Sequence, residues 1–168
     1  MDAIRDHIIR FRQHDHSTFD LFYDMTKKQV FFAIIGIVKD NTVAEDLMQE
    51  TYMAFLKTID RVDPDKNVIA YMTTIARHLA IDRYNEGKRV IHSDDVVTHA
   101  SDARVPQEDM EVMDMLQVLP ETEAEIVTLH VVNDLTFREI SSIVNKPLGT
   151  VLWLYHKAIK TLKAHLGE

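Results

Sequence analysis

The net acidity of this chain is gathered in one place. Residues 91–125 hold ten acids and a single base, Arg104, a net of −9, whereas residues 1–90 carry a net of −1 and residues 126–168 a net of +2. A run of one sign that long does not bury in a core, so it divides the chain into two nearly neutral pieces. The stretch opens VIHSDDVVTHASDARVPQEDMEVMD. Its first part has no sustained helical period and contains Ser, Asp and Pro106, the composition of a linker running into an acidic helix start. The expected organisation is a first domain over 1–89, an acidic linker over 90–107 and a second domain over 108–168.

Each piece is expected to be helical. Among 168 residues there are four glycines and four prolines, too few for a strand-and-turn protein, while 46% are hydrophobic, enough to build a core. The expected class is all-α, two small helical domains joined by the acidic linker. The absence of cysteine excludes a disulfide scaffold, a thiolate metal site and a cysteine nucleophile. The longest apolar run, Val30 to Val38, is far shorter than the ~20 residues of a membrane span, and the N-terminus lacks the unbroken apolar core of a signal peptide. A soluble, cytoplasmic protein is expected. A total charge of −8 argues, at first, against a nucleic-acid role.

In the first piece, Thr18 to Lys39 shows a broad helical pattern. Thr42 and Glu45 then have capping-box spacing, opening a helix over Val43 to Ile59. Its apolar face is Leu47, Met48, Tyr52, Phe55, Leu56 and Ile59. Asp46, Gln49, Glu50 and Met53 fall at i, i+3, i+4 and i+7, a second stripe that is acidic with an apolar end. On spacing alone it is either a solvated face or a docking stripe for a basic partner. A polar loop, Asp60 to Asn67, is broken by Pro64. The next helix, from Val68, is expected to stop at Gly87. From Lys66 to Arg89 the bases outnumber the acids by three, with Tyr71 and Tyr84 among them. Bases interleaved with aromatics suit a single strand of nucleic acid, since stacking serves any base while cations follow phosphates. Routine surface lysines with core tyrosines would look the same.

The second piece reads as short helices over Met110 to Leu119 and Glu121 to Val132, then a capped pair. Thr136 and Glu139 form a capping box opening Phe137 to Val144, Asn145-Lys146-Pro147 makes a turn, and a last helix runs to about Leu166 with Lys157, Lys160 and Lys163. That is the helix-turn-helix layout, in which the second helix enters the major groove. If Val151, Tyr155, Ala158 and Leu162 pack inward, Leu152, Trp153 and Leu154 do not all bury with them. They belong either to a wider core or to an apolar surface facing thymine methyls or a protein.

No Gly-rich phosphate loop, His-Glu-x-x-His pattern or Gly-x-Ser-x-Gly elbow is present, so no enzyme and no cofactor are expected. The nine histidines, His14-Asp15-His16 included, match no helical zinc spacing, and no metal is expected.

In order, VAEDLMQETYMAFLKTID, NVIAYMTTIARHLAIDRYNEGKR and LPETEAEIVTLHVVNDLTFREISSIVNKPLGTVLWLYHKAIKTLKAHLGE resemble the second and fourth conserved regions of bacterial RNA polymerase sigma factors of the extracytoplasmic-function group. The likeness covers nearly the whole chain. It implies a subunit that binds core RNA polymerase and promoter DNA and directs promoter-specific initiation. Asp46, Gln49 and Glu50 would contact the polymerase clamp, with Met53 ending the stripe. Asp63, Lys66 and Asn67 belong to a loop that would hold a flipped-out base. Tyr71 stands where the group usually has tryptophan, and Arg77, His78, Asn85, Lys88 and Arg89 would hold the melted minus-ten edge. Thr136, Arg138, Gly149, Thr150, Trp153, His156, Lys157 and Lys160 would meet the minus-thirty-five duplex. Leu152-Trp153-Leu154 departs from the Lys-Ser-Arg common there, so the usual phosphate clamps are missing. An anti-sigma partner is implied by the resemblance only. The competing reading is a free-standing helix-turn-helix transcriptional regulator with an N-terminal helical interaction domain, which leaves the Asp46/Gln49/Glu50 stripe unexplained.

Overall fold

A computed structural model describes residues 2–90 and 105–168, and the side chains from residue 3 to residue 88 in the first of these. The expected linker therefore lies, over residues 91–104, outside the described residues. The chain divides into two compact units, Met1–His99 and Ala100–Glu168. Among the described residues every regular element is helical.

The first unit contains α1 (Asp2–Arg12), α2 (Phe19–Val38), α3 (Asn41–Lys57), a 3-10 turn at Ile59–Arg61, and α4 (Val68–Val90). Its centre is aromatic. Phe22 of α2 stacks on Phe55 of α3 with ring centres 5.5 Å apart, and Phe11 of α1 meets Phe22 edge-on at 5.3 Å. Ile8, Val30, Ile34, Leu47, Met72, Ala76 and Ala80 complete the buried layer. The small residues of α4 let it lie close against α2 and α3, the packing that fixes which of its faces meets solvent.

Several helix boundaries differ from expectation, among them Ile59, which falls in the 3-10 turn rather than in α3, and Gln107–Leu116, expected over Met110 to Leu119. Asp40, not Thr42, caps α3: its Oδ1 accepts from the Val43 N–H at 3.0 Å, so the helix begins two residues earlier. A carboxylate at Asp40 satisfies an orphan N–H one turn ahead of it, so Thr42 lies inside the first turn and is not the cap. Gly87 does not stop α4, which continues to Val90; the glycine lies within the helix and in open space.

The second unit contains α5 (Gln107–Leu116), α6 (Glu121–Val127) running into a π turn at Thr128–Val132, α7 (Phe137–Val144) and α8 (Leu148–His165). Leu119, Val127, Ala158 and Leu162 form one cluster of its core, with Ala124, Tyr155 and Ile159 packed against them. The expected capping box of α7 is present in both halves. Glu139 N–H donates to Thr136 Oγ1 at 3.2 Å, and Thr136 N–H donates to Glu139 Oε2 at 2.9 Å. Asn145, in the left-handed region (φ 55°), reverses the chain between α7 and α8. Asparagine tolerates that conformation better than most side chains, which is why three residues suffice for the turn.

No helix among the described residues is long and apolar enough to cross a membrane. His14-Asp15-His16 forms the bend between α1 and α2. His14 is left-handed (φ 61°), His16 stacks on Phe11, and Asp15 accepts from Arg10 at 3.1 Å and from the Ser17 N–H at 3.0 Å. Those bonds, Ser17 first, hold the Asp15 carboxyl below the usual carboxylate range.

Candidate polymerase and nucleic-acid surfaces

Helix α3 separates its two stripes cleanly. Leu47, Met48, Tyr52 and Phe55 are buried, whereas Asp46, Gln49, Glu50 and Met53 are all exposed, Met53 at 59%. Met53 is one of several large apolar side chains exposed among the described residues, with Leu21, Val131 and Trp153, and it ends the acidic row. Glu50 has a partner that spacing did not reveal: Arg83 of α4 donates to its Oε1 at 3.1 Å. The helix carrying the acidic stripe and the helix carrying the basic segment are thereby joined at their surfaces.

Along α4, His78, Asn85 and Lys88 are exposed and Arg77 is half-buried. The Arg89 side chain lies outside the described residues. Tyr84 is exposed with the Lys88 ammonium 4.5 Å from its ring centre, a cation over an aromatic face. Tyr71 is turned differently. Its hydroxyl donates to Thr58 Oγ1 at 2.8 Å and its ring meets Phe55 edge-on, so it braces the start of α4 against the end of α3.

The loop from Asp60 to Asn67 leads into that same helix end. Asp63 accepts from the Asp65 N–H at 3.0 Å, and Asn67 Oδ1 accepts from the Ala70 N–H at 3.1 Å, capping α4. Asp63 and Lys66 are exposed. Asn67 is thus in part a structural residue, a role that its position ahead of an apolar period signals.

In the second unit Thr136, Arg138, Gly149, Thr150, Trp153, His156, Lys157 and Lys160 are all exposed. Thr150, Trp153, Lys157 and Lys160 follow i, i+3, i+7 and i+10 along one face of α8. The apolar surface is narrower than a run of three suggests. Trp153 is 61% exposed, while Leu152 and Leu154 are half-buried, since α8 packs on both α6 and α7. Lys157 is held on two sides: its Nζ lies 5.1 Å from the Trp153 ring centre and 3.2 Å from Oε1 of Glu123, a buried carboxylate of α6. Glu123 escaped sequence reading because its acid neighbours made it look like one more solvated charge. Behind α8, His130 of the π turn lies flat on Phe137 at 4.2 Å and meets Tyr155 edge-on at 5.0 Å, while its Nδ1 lies 2.9 Å from the Leu135 carbonyl.

Residues 22–90 match the family model of sigma-70 region 2, and residues 109–162 match that of sigma-70 region 4. The chain is 30% identical over 154 residues to the ECF RNA polymerase sigma factor SigM of Bacillus subtilis, covering 88% of this chain and 94% of that protein. Among solved structures, CnrH in complex with the cytosolic domain of CnrY is 18% identical with a TM-score of 0.69, covering 98% of this chain and 97% of that one. The sigma factor RpoE in complex with the anti-sigma factor NepR from Bartonella quintana is 20% identical with a TM-score of 0.68, covering 89% and 96%. The chain belongs to the sigma-70 family of RNA polymerase sigma factors, in its extracytoplasmic-function group. It binds core RNA polymerase and directs promoter-specific transcription initiation. The free-standing regulator reading gives way, because the first unit is itself a sigma region.

Proposed function

We propose that the two units divide this work by residue as follows. Asp46, Gln49, Glu50 and Met53 of α3 grip core polymerase, and the exposure of all four on one helical face, with Met53 ending the acidic row, is the observation that carries the reading. The Asp60–Asn67 loop, with Asp63, Lys66 and Asn67, receives a base extruded from the non-template strand. Extrusion costs a few kcal/mol, recovered by stacking and edge hydrogen bonds. Arg77, His78, Asn85, Lys88 and Arg89 hold the melted upstream edge, with Tyr71 supporting the helix start. Thr136, Arg138, Gly149, Thr150, Trp153, His156, Lys157 and Lys160 face the second element as duplex. The protein performs no covalent chemistry itself and works in the cytoplasm without a cofactor. By analogy with the RpoE–NepR complex, an anti-sigma partner restrains it by covering the α3 stripe or the Trp153 face.

The test is a pull-down of core polymerase with the Asp46→Lys, Glu50→Lys double variant. Capture is expected to be lost while far-UV circular dichroism stays that of the parent. Breaking the exposed Glu50–Arg83 pair costs at most about 1 kcal/mol, so the fold survives. Retained capture would refute the face assignment.

A further inference from the structure

We propose that Arg12, seconded by Arg5, is a positioning residue for the base-receiving loop, and so sets base discrimination in the upstream promoter element from a helix outside the loop. The inference rests on the reading of the Asp60–Asn67 loop as the site that holds an extruded base. Among the described residues, every hydrogen bond of the Arg12 side chain goes to this segment. Its guanidinium donates to the carbonyls of Ile59 at 3.4 Å, Asp60 at 3.3 Å and, closest, Val62. Arg5 stands seven residues earlier, two turns along the same face of α1, and its Nε donates to Asp65 Oδ1 at 2.8 Å. The two arginines therefore fasten the loop near both of its ends.

The loop is built to be held in this way. The N–H groups of Arg61, Val62, Asp65 and Lys66 are satisfied locally, by the carbonyls of Thr58, Ile59 and Asp63 and by the Asp63 carboxylate. The carbonyls of Asp60 and Val62, and that of Ile59 in addition to its bond from the Val62 N–H, converge on one external donor. A guanidinium spreads its N–H groups over three nitrogens in a rigid plane and so reaches three separated acceptors, whereas an ammonium has its three N–H groups on one nitrogen. Ile59 and Val62 are buried and anchor the inner side, while Asp60, Arg61, Asp63 and Lys66 face solvent. A loop fixed before DNA arrives loses little ordering entropy when a base enters, so its walls discriminate between bases. A loosened loop would lose that discrimination first.

The experiment uses holoenzyme reconstituted from core polymerase and the full chain, on a promoter mapped by transcription start-site sequencing. The probe is the single-stranded non-template oligonucleotide across the upstream element, with an abasic site walked through it. With the parent protein, one abasic position is expected to lower binding. Arg12→Gln should weaken binding of the intact oligonucleotide by about tenfold and abolish the penalty at that position, with core capture unchanged. Arg12→Lys should fall between, because it keeps the charge and loses the fork. Parent-like binding and an undiminished abasic penalty in Arg12→Gln would overturn the proposal. So would a parallel loss of core capture, since Arg12 would then serve the domain as a whole. If no abasic position matters for the parent and Lys66→Ala binds like it, the base-receiving reading has failed, and the proposal falls with it for a different and recognisable reason.

Discussion

Tyr52 brings a phenol into the aromatic centre of the first unit, where its hydroxyl lies 2.6 Å from Thr26 Oγ1. Burial pushes its pKa well above the ordinary value for tyrosine, against the lowering effect of the Thr26 hydrogen bond. The folded chain thus keeps this proton at pH values where the unfolded chain has released it. Its contribution to stability is complete below about pH 10 and declines as pH rises beyond that. Tyr52→Phe should flatten the alkaline limb of a stability-versus-pH curve measured by urea unfolding. At neutral pH it should cost about 1 kcal/mol, no more, because the Thr26 hydroxyl still donates to the Phe22 carbonyl at 2.9 Å. An unchanged alkaline limb would show that another group controls it. Lys157 has two partners at once. A cation exposed on the helix proposed to face DNA is also the partner of buried Glu123, so truncating it would leave a buried carboxylate uncompensated and confound a DNA-binding measurement. Lys160, exposed one turn further on, is the cleaner probe.

Gly87 tests an element. Within α4 it has neither a left-handed backbone nor neighbours within 4 Å of an added Cβ. Gly87→Ala should therefore stabilise the first unit by about 0.5 kcal/mol, seen as a higher midpoint in thermal unfolding. Had the glycine ended the helix as a left-handed cap, the same change would destabilise it, so the sign of the shift decides. The helices themselves were legible because apolar residues recur at three and four along them, and the Thr136–Glu139 box was legible because capping is local. Boundaries were less so, since Thr42 and Asp40 both offer an oxygen to the same helix start and only the realised geometry shows that Asp40 takes it. The π turn has no period to announce it. The Arg12 bonds to a loop 47 to 50 residues away, and the Arg83–Glu50 pair across 33, are tertiary facts that no window along the chain contains.

For the molecule as a whole, the net charge of −8 does not oppose a DNA role, because the excess of acid over base lies in residues 91–125, a net of −9, and leaves α4 and α8 with local bases. What the charge does oppose is binding DNA unaided. Free protein is expected to bind promoter duplex weakly, with a marked gain when core polymerase is added at the same salt, as measured by fluorescence anisotropy. Tight, salt-dependent binding by the free protein would contradict this. Trp153 supplies the means to follow such events without a label. It is the chain's single indole, standing open on α8 beside the Lys157 ammonium. Selective excitation of tryptophan therefore illuminates one face of one helix. Its emission in the free protein should be that of a solvated ring and easily quenched, and should shift when duplex or a protein covers α8.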